Sequence, residues 1–405
     1  MGNNVNNSIT TLYNIEENMG NIINFDHASA TKPLPEVAES MLPYMLDIFG
    51  NPSSIHSEGQ KAKAAIDKAR EQVAGLINAL PEEIVFTASG SESNNYALKG
   101  VAFANQKKGD HIIVSEIEHF SVLQAAKSLG KLGYNVTQIP VDKHGFIDPD
   151  EVKKAITDKT ILVSIMHANH EIGTIEPIAE ISKIVKEKGI LLHTDAVQTM
   201  GTIPVDVQQL NVDLLSFAAP AFYGPKGGAG LYIKKRSRIN PLIDGGIQEG
   251  GRRAGTENVM SIVGMGTAAE LAAQTMSQRI EHVKAISDLL INSIKEKIDH
   301  VHLHGHPEIR LPNNVNFGFE YIEGESILLF MGMEDMIASS GSTCASKTLK
   351  ASHVLLAIGV SHAIANGSIL FTPGIDNTVD DVKLLSEKLL KIVERLRAMS
   401  PLYRK

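Results

Sequence analysis

Short apolar runs alternate along this chain with longer stretches whose apolar positions recur at helical spacing. From residue 84 the runs 84–87, 111–115, 136–140, 160–167 and 190–195 read as strands. The stretches 92–104, 120–132, 149–156 and 178–188 between them read as helices. Uninterrupted apolar runs suit strands covered on both faces, so the alternation predicts βαβ units in a doubly wound, mostly parallel sheet, an α/β fold. A short strand at 22–25 and helices at 35–49 and 57–77 precede it. At 213–232 an apolar run breaks into a loop with Gly224, Pro225, Gly227 and Gly228, then resumes at Leu231: strand, loop, strand. After Asn258 the pattern becomes one long helix, 259–298. Strands at 314–319, 337–339 and 369–371 and helices at 323–331, 355–358 and 379–399 follow. The expected organisation is a loose extension over 1–21, a large α/β domain over 22–258 and a smaller α+β domain over 259–405.

Charge and composition narrow the classes of function. A net charge of −8 with no basic run beyond Lys234-Lys235-Arg236 argues against a nucleic-acid partner. No apolar run approaches the roughly 18 residues of a membrane span and no secretory leader is visible, which makes the cytoplasm the expected compartment. The single cysteine, Cys344, excludes an intramolecular disulfide.

Several polar residues fall just after predicted strands, where open α/β sheets bind ligands. In Thr87-Ala88-Ser89-Gly90-Ser91-Glu92 small residues open a helix, so its free N–H groups and dipole favour an anion; an ordinary cap on Ser91 is the plainer reading. His119 opens the next helix, where a lone histidine is usually a cap or a surface residue. Asp195 ends an apolar strand and needs a partner to offset its desolvation, a salt bridge being the simplest. Asn169-His170-Glu171 has half the makings of a metal site, but its spacing matches no zinc signature and a metal is not expected. The loop around Lys226 lacks the glycine and hydroxyl residue of a phosphate-binding P-loop. Cys344 lies in a loop of small residues, a poor place to bury a thiol and a suitable one for a nucleophile or sulfur carrier.

Together the segments DHASATKPLPEV, FGNPSSIHSEG, FTASGSESNN, EIEHFSV, HANHEIGTIEPI, HTDAVQ, YGPKGGAGLY, GGRRAGTEN and SSGSTCAS resemble, in this order, the NifS-type cysteine desulfurases of aminotransferase class V. The resemblance implies a fold-type I pyridoxal-phosphate transferase, homodimeric, that takes sulfur from L-cysteine. Its products are alanine and a persulfide on a loop cysteine, passed to an iron–sulfur scaffold protein or another sulfur acceptor. By the same resemblance Asp195 would pair with the pyridine nitrogen, His119 would stack on the ring and Gln198 would touch its phenolic oxygen. Asn169 would lie near that oxygen or the substrate carboxylate, Gly90 and Ser91 would hold the phosphate, and Thr256 would reach it from the other subunit. Cys344 would carry the persulfide.

The chain departs from the family at two places. Where the family has Ser-x-His-Lys, this chain has Ala218-Ala219-Pro220-Ala221, so two phosphate ligands and the Schiff-base lysine are gone. Where the family places a carboxylate-binding arginine, Leu370 stands, a loss of about 2–4 kcal/mol of substrate binding if nothing compensates. Covalent attachment of the cofactor at Ala221 is therefore impossible. Three explanations stay open: a divergent member that binds pyridoxal phosphate non-covalently; a non-desulfurating sulfur carrier or cluster-assembly partner in which Cys344 is a carrier or iron–sulfur ligand; and an engineered change at Ala221, which would not explain Ala218, Pro220 or Leu370. The retained Asp195, His119, Gln198 and Ser91 favour the first. Lys226 is a candidate stand-in, although the family keeps a lysine there beside the Schiff-base one.

Overall fold

The computed structural model describes residues 22–341 and 351–403. The expected loose extension over residues 1–21 and Cys344 both lie outside the described residues.

Twelve strands are numbered in chain order: β1 (Ile23–Asn24), β2 (Ile84–Thr87), β3 (His111–Ser115), β4 (Asn135–Ile139), β5 (Thr160–Ser164), β6 (Leu191–Asp195), β7 (Leu214–Ala218), β8 (Ala229–Ile233), β9 (Val301–Leu303), β10 (Val315–Phe319), β11 (Met336–Ile337) and β12 (Ser368–Phe371). Seven form the main sheet in the order β2-β8-β7-β6-β5-β3-β4. Only β8 runs antiparallel to its neighbours, so the sheet is mostly parallel, as the alternation of runs predicts. Strands β2, β3, β5, β7 and β8 are buried along their whole length because helices cover both faces. The edge strand β4 carries the polar Asn135, Thr137 and Gln138, which are at least partly exposed, and this keeps it from acting as a sticky edge.

The second unit is an antiparallel sheet, β12-β10-β9, with a β1–β11 pair beside it. Its core gathers Phe317, Phe319, Phe371, Leu385 and Leu389, and it also takes in Phe25 from the start of the described chain. The helix Val259–Lys297 joins the two cores. Ile262, Met265, Ala268 and Ala269 pack into the large core, whereas Ile286, Leu290 and Ile294 pack into the small one. The boundary at Asn258 is thus the N-cap of a helix that belongs to both units, its side chain accepting the Ser261 N–H (3.2 Å). No helix among the described residues is long and apolar enough to cross a membrane.

Candidate active site

The parallel strands of the main sheet end on one edge, and the residues that follow each of them converge there. Gly90 and Ser91 come after β2, His119 after β3, His170 and Glu171 after β5, Asp195 ends β6 and Gln198 follows it, and Ala221 comes after β7. Ser339, Gly341 and Leu370 of the small unit close the opposite side. The cavity between them measures about 250 Å³. A neighbouring cavity of about 300 Å³ shares Ser89, Gly90 and Gln198 with it and is lined by Ala218, Pro220, Ala221 and Lys226.

Asp195 is the chemical centre of the main cavity. It is 6 % exposed. Its Oδ2 accepts from Asn94 Nδ2 (2.6 Å) and its Oδ1 from the Val197 N–H (3.0 Å). The salt bridge expected from sequence is replaced by amide donors, and burial pushes the carboxyl up while the neighbouring His119 pulls it down. The other amide hydrogen of Asn94 goes to Ser121 Oγ (2.8 Å), which lies 2.7 Å from His119 Nδ1. Nδ1 also accepts the Ser121 N–H (3.2 Å), so the proton of a neutral His119 sits on Nε2. His119 is therefore both the N-cap of the helix Phe120–Lys131 and a cavity wall, its ring edge-on to His170 with centroids 5.2 Å apart.

Sequence reasoning missed Asn94 and Ser121, the two links between the carboxylate and the imidazole. Asn94 lies a single helical turn from Gly90, on the face the helix Gly90–Asn105 turns inward, and that spacing was the available signal. The cap of this helix is Ser89, not Ser91: Ser89 Oγ accepts the Glu92 N–H (3.1 Å), and Glu92 accepts the Ala88 N–H in return (2.9 Å). Ser91 is free of that duty and lines the cavity with Gly90. A Cβ at Gly90 would come within 2.7 Å of Val197, so this point of the cavity wall calls for glycine. Gln198 lines both cavities and donates to the Ala28 carbonyl (3.2 Å).

Asn169 does not line the cavity, and Thr256, expected to act from a second copy, lies away from the cavity of its own chain. Asn169 is fully buried and spends its amide on the backbone, accepting from Glu171 N–H (2.9 Å) and Ile172 N–H (3.0 Å) and donating to the Ile117 carbonyl (2.9 Å). Thr256 lies on the exposed rim of a separate cleft with Arg253 and Glu257. Among the described residues no cluster of His, Cys, Asp and Glu has the makings of a metal site.

The donor set fits pyridoxal phosphate in part. The buried carboxylate of Asp195 suits a protonated ring nitrogen, and the N-terminus of a long helix suits a phosphate. Asn94 Oδ1 is buried in the cavity wall with no hydrogen-bond partner, a group awaiting a donor. Ala218, Pro220 and Ala221 bring no polar side chain.

The aminotransferase class-V family model matches residues 23–385. The chain belongs to that family, in its cysteine desulfurase branch. It is 53% identical over 376 residues to a cysteine desulfurase IscS of Dictyoglomus turgidum, covering 93% of this chain and 95% of that one. Among solved structures, a NifS-like protein superposes with a TM-score of 0.87 at 37% identity over 93% of this chain and 100% of its own. A protein described as SspA in complex with cysteine superposes at 0.76 with 36% identity, over 87% of this chain and 99% of its own. Enzymes of this family depend on pyridoxal phosphate, and its fold is the one described above.

Proposed function

We propose that this family member binds pyridoxal phosphate without covalent attachment and acts on L-cysteine as a desulfurase-type sulfurtransferase of low turnover. The observation that carries the reading is the buried Asp195 carboxylate, held by Asn94 and Val197 on the wall of a cavity with an unsatisfied polar atom. Gly90 and Ser91 would receive the phosphate at the helix N-terminus, with Thr256 of a second copy completing the site in a homodimer. Bound there, the cofactor supplies an electron sink for bond cleavage at the substrate's α and β carbons. The Asp195 carboxylate keeps the ring nitrogen protonated, and His119, fixed through Nδ1, presents its Nε2–H to the cavity. The net reaction is L-cysteine plus the Cys344 thiol giving L-alanine plus the Cys344 persulfide. An iron–sulfur scaffold or another thiol would take the sulfur on, in the cytoplasm.

A second reading has its own support. Among the described residues no Lys or Arg lines the main cavity, and in the neighbouring one Lys226 is present but Ala221 brings no amine. On that reading Cys344 is a sulfur carrier or cluster ligand in another enzyme's reaction. The test is alanine production from L-cysteine by the full-length protein with added pyridoxal phosphate. Alanine above a no-protein control that disappears in Cys344→Ala supports the first reading; its absence in the presence of bound cofactor favours the second.

A further inference from the structure

Glu171 is pinned at the cavity wall from several directions. Its N–H donates to Asn169 Oδ1 (2.9 Å), its carbonyl accepts from the Asn314 and Asn316 side chains (3.3 and 3.1 Å), and its Oε2 accepts from Ser352 Oγ. Oε1 is left buried and without a hydrogen-bond partner. Gly341, at φ +79°, passes close enough that a Cβ there would stand 3.3 Å from Oε2. His170 Nε2 lies 3.7 Å from Oε1, too far for a hydrogen bond, and Nδ1 of the same ring is also buried and unpartnered. An unmet buried polar atom costs about 1–3 kcal/mol. Two of them on one wall, beside Leu370, mark where a ligand's polar group belongs.

We propose that Glu171, together with His170, binds the carboxylate of the α-amino-acid substrate, the task that Leu370 cannot perform. The inference rests on reading this cavity as an amino-acid site. A carboxylate needs donors, and among the described residues no Lys or Arg side chain lines the cavity. With Oε2 already accepting from Ser352, Oε1 is the buried oxygen left to carry the acid proton of Glu171 and donate it to a ligand. Burial raises this carboxyl to about 7, against the opposing bond from Ser352, and burial holds His170 well below the ordinary histidine range, so its ring is neutral and offers one N–H. The titratable groups around the pair are His119 and Asp195 on the cavity wall and His353 from the small unit. Carboxylate binding then takes the protonated acid. It is constant below pH 7 and weakens about tenfold per pH unit above it.

Calorimetric titration of the full-length protein, with and without pyridoxal phosphate, from pH 6 to 8.5 tests this with L-alanine, propionate and ethylamine as probes. The expected result is that L-alanine and propionate bind with the falling profile in both preparations and ethylamine does not follow it. Glu171→Gln should bind propionate with a flat profile, and Leu370→Arg should bind it more tightly and with a weaker pH dependence. A flat wild-type profile, an unchanged profile in Glu171→Gln, or no propionate binding at any pH would overturn the proposal. Cofactor uptake followed by absorbance separates the two readings: carboxylate binding with this profile in a protein that takes up no cofactor sustains the Glu171 assignment and removes the cofactor reading.

Discussion

At the scale of single residues, the proposed site gives the cofactor's ring a partner in Asp195 and its aldehyde none at Ala221. Asp195 is buried, satisfied by amide N–H groups and tied through Asn94 and Ser121 to His119, a relay that orients both groups without a cation. Ala221 opens beside a cavity with room for a longer side chain. Ala221→Lys should therefore give a chromophore that stays with the protein after borohydride reduction and denaturation. It should also raise alanine production about 100-fold, the usual worth of a positioned acid–base group. Asp195→Asn should release the cofactor at concentrations where the parent retains it, checked by equilibrium dialysis. Asp195 and His119 were legible in sequence because each sits at a strand end in a recognisable segment. Asn94, Ser121 and Glu171 were not assigned because their roles depend on contacts between segments far apart in the chain, which no local pattern encodes.

At the scale of elements, the helix Gly90–Asn105 does most to build the site. Its cap is reciprocal, Ser89 to the Glu92 N–H and Glu92 to the Ala88 N–H, and Glu92 also pairs with Arg253 (2.9 Å). Ser89→Ala should lower stability by about 1 kcal/mol, read as a fall in the thermal midpoint, and should also weaken retention of the phosphate. Strands β2 and β3 and the closing helix Val379–Met399 match the sequence reading residue for residue, because buried runs bounded by turn residues leave little choice. The reading passed over β9, whose three residues carry too little pattern to be distinguished from a loop.

At the scale of the molecule, the fold class was legible from the strand–helix alternation, whereas the way the two units share elements was not. The long helix Val259–Lys297 serves two cores, and Phe25 leaves the first unit for the second, choices set by packing and not by local preference. The site lies where the two units meet, so its charges feed back on stability. Burial raises Glu118 to about 8 and Glu171 to about 7, so the folded state holds protons that the unfolded chain releases near pH 4.5. That contribution is complete below pH 4.5 and is lost as pH rises through 7 to 8. Burial lowers His167 to about 4 and His193 to about 3, so their contribution is present above pH 6.5 and is lost in acid. The thermal midpoint should thus fall between pH 6.5 and 8.5, and Glu118→Gln should lessen that slope while the buried Glu171 and Glu176 keep their share of it.

The most direct test of the central claim, a cofactor held without a lysine anchor, is the visible circular dichroism of the full-length protein titrated with pyridoxal phosphate. The account predicts a saturable signal that vanishes on denaturation, leaves no cofactor on the polypeptide after borohydride reduction and is lost in Asp195→Asn. A titration that induces no signal would contradict it, and so would a signal that persists in Asp195→Asn.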